Sequence, residues 1–80
     1  MLLLIEVADS SLRFDREVRV PLYARHLIPE VWLLDLKHKR LEVYRDPGPE
    51  GHRQVLLPDR GQRIAPLALP EVEIAVADLW

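Results

Sequence analysis

Two short apolar runs constrain the fold of this chain more than any other feature. Leu2–Ala8 and Val31–Leu36 are apolar without alternation, and each carries one acid near its end, Glu6 and Asp35. Such runs are typical of strands buried on both faces, as in parallel or mixed sheets that helices cover. In open α/β sheets, ligand sites gather at the carboxyl ends of strands. Glu6 is therefore either a paired structural residue or part of a site, because an ionised carboxylate is rarely buried without a partner.

A helix is expected between these two strands. Asp9–Ser11 is a predicted turn, and its two serines are capping residues rather than nucleophiles, because such side chains bond to nearby backbone groups. The helix is predicted within residues 14–27, with Asp15 as its N-cap. Pro21 removes a helical hydrogen bond, so a kink or a split is expected there. A strand, a helix and a strand in this order predict a βαβ unit with parallel strands.

The second half of the chain predicts antiparallel strands joined by polar turns. The alternating run Leu41–Arg45 indicates a hairpin strand, over residues 41–46, with one face in water. Asp46–Gly51 contains prolines and glycines that favour a loop. The other extended segments are expected at 52–57, 63–69 and 72–76, before a frayed turn at 77–80. The predicted fold class is therefore α/β: one domain over residues 1–80, with a mixed sheet of about five strands and one main helix.

Composition narrows the classes of function. The chain has 80 residues and no cysteine, which excludes disulfide frameworks and thiolate chemistry. Its net charge of −2 excludes a general attraction to nucleic acid. No apolar run has membrane-spanning length, so a cytoplasmic protein without a membrane partner is expected. Arginine supplies nine of the eleven basic residues, and most of the seven prolines lie in predicted loops. This composition fits a heat-adapted source.

Few groups of polar residues suggest a site. The three histidines, at positions 26, 38 and 52, lack metal-ligand spacing. The basic cluster Lys37–Arg40 lies at a predicted hairpin tip, where solvation is the commoner role and phosphate contact the alternative. Oxygen ligands for Mg²⁺ beside a positive side chain are what a metal-dependent phosphodiesterase needs, although acids at helix starts are also common for dipole reasons. The residues that offer this combination are Glu6, Asp9, Asp15, Glu17 and Arg19.

The order of residues in the first half resembles that of a known family. Glu6-Val7 is followed by Ser11, Asp15, a basic residue at position 19, Tyr23-Ala24 and the run Ile28–Asp35. This succession resembles the Uma family of restriction endonucleases, which belongs to the PD-(D/E)XK nuclease superfamily. The hairpin run at 41–45 and the closing segment at 69–79 match the family pattern as well, so the resemblance covers nearly the whole chain.

The resemblance implies roles for individual residues. Glu6 would be the metal-binding acid, the Val7 backbone carbonyl a second ligand for Mg²⁺, and Arg19 the catalytic cation. Further site candidates are Asp9, Asp15 and Tyr23. The family has lysine at position 19, whereas arginine binds phosphate but cannot act as a general base. The family's other metal-binding aspartate lies on a strand upstream of the glutamate strand. This sequence shows no counterpart of it, so the chain resembles the C-terminal half of the nuclease core.

Two functions from different classes are therefore expected. The first is a restriction-endonuclease-like protein, similar to Mg²⁺-dependent DNA phosphodiesterases but catalytically degenerate, with weak DNA binding. The alternative is a small structural or interaction module that assembles through its exposed sheet edge, because an uncovered apolar strand invites pairing. In either case a homo-oligomer is expected, with Leu3, Ile5 or their neighbours in the contact.

Overall fold

A four-stranded mixed sheet forms the centre of the molecule. The computed structural model describes all residues, 1–80, and the strand order in the sheet is the order along the chain. The first two strands are parallel, with Glu6 opposite Leu33, and the other neighbours are antiparallel. The predicted α/β class and parallel pairing are confirmed, but this sheet has four strands rather than about five. The strands are β1 Leu4–Ala8, β2 Glu30–Asp35, β3 Arg40–Gly48 and β4 Gly51–Leu56.

The connection from β1 to β2 is helical and changes type along its length. It consists of α1 (Leu12–Phe14), a π-helical turn (Asp15–Arg19) and α2 (Val20–Arg25). The prediction of Asp15 as N-cap is wrong, because the helical segment already begins at Leu12. The interruption expected at Pro21 takes the form of the wider π turn just before it. Pro21 then lies in the first turn of α2, where a missing N–H costs little.

The C-terminal segment forms a second, two-stranded sheet. Its strands are β5 (Arg63–Ile64) and β6 (Ile74–Ala75), and a 3₁₀ helix follows at Val76–Leu79. These strands are much shorter than the extended segments predicted at 63–69 and 72–76, because the prolines between them cannot donate to a ladder. The prediction of a frayed end is wrong, since Leu79 and Trp80 pack against the core.

The main sheet separates two apolar clusters. The helical connection covers one face, where Val20 packs with Ala8, Val31, Leu33 and Tyr44. The C-terminal segment covers the other face, where Val76 packs with Trp32, Leu41 and Val43. The central strand β2 is therefore buried on both faces, as its sequence predicts. None of the helical segments has the length and apolarity needed to cross a membrane.

Strand β1 is not buried on both faces, which corrects the prediction from its apolar run. Leu4, Glu6 and Ala8 face the helical connection, but Ile5 and Val7 remain 54% exposed. The reason is position: β1 lies at the edge of the sheet, and the C-terminal segment packs mainly over β2 and β3. An apolar run shows that its residues favour burial. Whether they are buried depends on where the strand lies in the sheet and on which other segments pack over it.

Two expectations for β3 are also wrong. One face of this alternating strand is expected in water, but Glu42 and Tyr44 on one face are buried beneath the helical connection, and Leu41 and Val43 on the other are buried too. The segment 46–51, predicted to be a loop, is mostly strand, with Pro47 opposite His52 and Gly48 opposite Gly51. Asp46 adopts a left-handed backbone with φ of 59°, which aspartate tolerates better than most residues. The strand therefore continues through residues whose composition alone indicates a break.

Candidate functional site

Three of the predicted site residues meet beside the edge strand. Glu6 points from β1 towards the helical connection, and its side chain is only 18% exposed. Its Oε1 atom accepts a hydrogen bond from the Tyr23 hydroxyl and lies 3.4 Å from Nη1 of Arg19. The structure thus brings together Glu6, Arg19 and Tyr23, which the family resemblance groups as candidates.

Helical spacing explains why Arg19 and Tyr23 reach the same carboxylate. Side chains four positions apart lie on one face of a helix, so both project towards β1. Asp15 is four positions before Arg19, and its Oδ1 atom lies 3.4 Å from Arg19 Nε. The buried Asp15 also accepts a hydrogen bond of 2.9 Å from the Ser11 hydroxyl. The Arg19 guanidinium is therefore held between two carboxylates, Glu6 and Asp15.

These contacts keep Tyr23 protonated and Arg19 charged. The hydrogen bond to Glu6, together with burial, raises the pKa of Tyr23 above its ordinary value. Hydrogen bonds with Tyr23 and Glu6 raise the pKa of Arg19. Neither group can therefore take up a proton at neutral pH. The arrangement is a clamp between helix and strand in which two carboxylates share the Arg19 guanidinium, and Glu6 also accepts a hydrogen bond from Tyr23.

The residues present do not fit a Mg²⁺ site in this arrangement. Mg²⁺ needs several oxygen ligands in near-octahedral geometry. No group of three acidic or histidine side chains converges anywhere in the chain. The position beside Glu6 Oε1 is taken by a guanidinium, which repels a cation. Asp9 lines a separate cleft with Arg13 and Glu17, so it does not supplement Glu6. Val7, whose backbone carbonyl is the other predicted ligand, follows Glu6 in β1 and lies opposite Leu34 of β2.

A second polar network, which sequence reasoning missed, links the helical connection to β3. Arg16 donates two hydrogen bonds to the Glu42 carboxylate, the one from Nε to Oε1 measuring 3.1 Å. The Tyr44 hydroxyl donates to the same carboxylate. Burial, together with the hydrogen bond to Glu42, raises the pKa of Tyr44 well above its ordinary value. Arg16 and Glu42 are 26 positions apart, and no local spacing signals such a pair.

A third network ties the C-terminal segment to the sheet. Glu30 is completely buried, and its Oε2 atom accepts a hydrogen bond of 2.7 Å from Arg45 Nε. Its Oε1 atom accepts from the backbone N–H of Leu67 at 2.9 Å, while Arg45 Nη2 donates to the Ala65 carbonyl at 2.7 Å. Both carboxylate oxygens of Glu30 are bonded within the fold, which indicates a structural role.

A cleft of about 850 Å³ opens beside the tip of the β2–β3 hairpin. His38 lines it, and Asp35 accepts hydrogen bonds from the backbone N–H (3.2 Å) and ring Nδ1 (2.8 Å) of His38. Burial of Asp35 opposes its ionisation, but the hydrogen bonds from His38 prevail and hold the pKa of the carboxyl below its usual range. The basic cluster Lys37–Arg40 therefore sits on a braced turn beside a cleft.

Comparison with known proteins agrees with the resemblance in the sequence. A family model, Uma2, with the description "Putative restriction endonuclease", matches residues 1–77. The match includes β1, the helical connection, the hairpin and nearly all of the C-terminal segment. No curated protein and no solved structure matches the chain.

Proposed function

The chain belongs to the Uma2 family of restriction-endonuclease-like proteins, and from that premise we propose that it binds DNA weakly without cleaving it. The observation that carries this proposal is the state of Glu6. The family resemblance makes Glu6 the metal-binding acid, but here it is bonded to Tyr23 and paired with Arg19. A carboxylate committed to those partners would have to release them before it could bind a cation.

The charge at position 19 supports the same proposal. A lysine there could give up its proton when desolvated, whereas the guanidinium of Arg19 stays charged and cannot act as a general base. Its positive charge is compensated by Glu6 and Asp15 on either side. Arg19 is thus well placed to position helix against strand and poorly placed to activate water or to contact a phosphate.

The test is a plasmid-nicking assay of the purified chain with Mg²⁺ or Mn²⁺, beside Glu6→Ala prepared in the same way. We expect no nicking by either protein above the level with EDTA. A metal ion that binds only the folded state would stabilise it and raise the melting temperature. Because we expect no metal binding, the melting temperature should be the same with Mn²⁺ as with EDTA. Nicking that Glu6→Ala abolishes, or a Mn²⁺-dependent rise in melting temperature that it abolishes, would contradict the proposal.

A second candidate function is assembly through strand β1. The specific observation in its favour is the apolar side chains exposed at this edge of the sheet: Met1, Leu2, Ile5 and Val7. Edge strands carry unpaired backbone groups as well, and proteins usually protect them with charges, prolines or covering elements. On the exposed face of β1, Ile5 and Val7 are neighbours, and no charged residue or proline protects them. A second copy of the chain is therefore a fitting partner.

A further inference from the structure

The cleft beside the hairpin tip carries an excess of positive charge. Its lining includes Lys39 from the turn between β2 and β3, Arg40 from the start of β3, and Arg60 from the turn after β4. None of these three side chains takes part in an ion pair, and all three are exposed. Three cations from two separate segments therefore face one cavity with their charges uncompensated.

The other charged groups in the cleft do not cancel this excess. Glu42 is neutralised by Arg16. One acid in the lining, Asp59, has no ion-pair partner. Three free cations thus face one free carboxylate, in a protein whose net charge is −2. Such a local reversal of sign attracts an anionic partner, whatever the total charge.

Both walls of the cleft are held in place by hydrogen bonds. The hairpin tip is braced by the two bonds from His38 to Asp35. In the turn that carries Arg60, the backbone N–H of Asp59 donates to Gln62 Oε1 at 2.7 Å, and the Gln62 N–H donates to the Asp59 carbonyl at 3.0 Å. The Val76 N–H also donates to Gln62, which ties this turn to the core. The cations therefore project from fixed backbone.

Between the charges, the cleft has an apolar surface. Val55 and Leu57 line it, and both are exposed although they are large apolar side chains. Charged side chains that approach phosphates, beside an apolar surface that contacts sugar, are the features of a non-specific nucleic-acid interface. A small free anion would need only the charges, whereas a strand of nucleic acid would use both parts of the surface.

We infer that this cleft contacts the phosphodiester backbone of duplex DNA, through Lys39, Arg40 and Arg60. The inference rests on the proposed function, since it names the surface through which the chain binds DNA. It moves the contact away from Arg19, whose charge is compensated, to the end of the sheet where β2 and β3 are joined. Ligands of α/β sheets gather beyond the carboxyl ends of parallel strands, and the cleft adjoins the end of β2.

The test compares two triple variants with the same change in net charge. In one, Lys39, Arg40 and Arg60 become glutamine. In the matched control, three exposed arginines outside the cleft become glutamine: Arg25, Arg53 and Arg63. Fluorescence anisotropy with a labelled 20-base-pair duplex measures the dissociation constant of each protein at 50 and 200 mM KCl, and circular dichroism checks the fold.

Neutralising three phosphates gives a salt slope of about −2.7, so wild-type binding should weaken about 40-fold between these salt concentrations. The cleft variant should lose most of this dependence and bind at least tenfold more weakly at 50 mM KCl, while the control stays within about threefold of wild type. Equal losses in the two variants would overturn the cleft assignment and leave DNA binding intact. If the wild-type chain does not bind DNA, the cleft assignment and the proposed DNA binding are both wrong. The nicking assay measures catalysis separately.

Discussion

At the scale of single residues, buried carboxylates and their cations join the elements of this fold. Glu42 is buried in β3, and its carboxylate accepts hydrogen bonds from both Arg16 and Tyr44. A buried ion pair is weak evidence of net stabilisation, because both ions lose hydration. Removing only one partner is different, since the charge that remains is then buried without compensation. Arg16 is therefore expected to matter far more than its own surface position indicates.

The first prediction compares Arg16→Gln with Arg13→Gln. Arg13 pairs with Glu17 at 3.4 Å, but both side chains are well exposed, so this pair contributes under about 0.5 kcal/mol. Arg16→Gln leaves Glu42 without its cation and should lower the free energy of unfolding by about 1–3 kcal/mol, less than for a fully buried pair because Arg16 is 48% exposed. Urea denaturation measures both values, and equal effects would contradict the role of the buried carboxylate.

At the scale of elements, two turns place ordinary residues in the left-handed backbone region. Leu27, with φ of 57°, follows the end of α2, where the N–H of Ile28 donates to the Tyr23 carbonyl and that of Leu27 to the Ala24 carbonyl. This is the Schellman arrangement, in which glycine is the usual residue. Lys39, with φ of 51°, closes the hairpin between β2 and β3. Each side chain is held in a conformation that costs about 1–2 kcal/mol.

The second prediction is that Leu27→Gly and Lys39→Gly each stabilise the protein. Glycine removes the conformational strain but has more freedom in the unfolded chain, so the net gain should be about 0.5–1 kcal/mol at each site. Thermal or urea unfolding measures it. The two variants should differ in DNA binding, because only Lys39→Gly removes a cation of the cleft. Loss of stability in both would show that the side chains contribute packing that outweighs the strain.

At the scale of the whole molecule, coverage of the sheet is uneven. Strands β2 and β3 lie between the helical connection and the C-terminal segment, and they supply most of the buried residues. The outer strand β1 has one covered face and one exposed apolar face. Exposed apolar side chains that lie close together on an edge strand are typical of contact surfaces between proteins. Self-association through β1 would cover this surface.

The third prediction concerns Val7→Lys. A lysine on the exposed face of an edge strand opposes both backbone pairing and apolar contact. We expect the wild-type chain to be a dimer or larger oligomer at micromolar concentration by sedimentation velocity, and Val7→Lys to raise the dissociation constant at least about tenfold, which is about 1.4 kcal/mol.

Val72→Lys is the matched control for this experiment. Val72 is 44% exposed and lies in the C-terminal segment, so the same substitution there should leave association unchanged. A wild-type chain that sediments as a monomer would rule out assembly through β1 at these concentrations, and equal effects of the two variants would place the contact elsewhere.

Much of the architecture follows from local patterns in the sequence. The apolar runs predicted β1 and β2, the helical spacing between them predicted the connection, and the order of these elements predicted their parallel pairing. The grouping of Glu6 with Arg19 and Tyr23 followed from the order of residues that the family shares, and the structure places them in contact. These features were predictable because they depend on propensity and periodicity over a few residues, or on a motif.

Only the tertiary structure decided which faces are covered and how charges are paired. Glu42 and Tyr44 belong to an alternating strand for which one face in water is expected, but the helical connection covers them. Ile5 and Val7 belong to an apolar run for which burial is expected, but they lie on the uncovered face of the edge strand. The pairing of Arg16 with Glu42, and the meeting of Lys39 with Arg60, join residues far apart in the chain. Burial and electrostatics depend on distances in space, and local sequence patterns do not encode these distances.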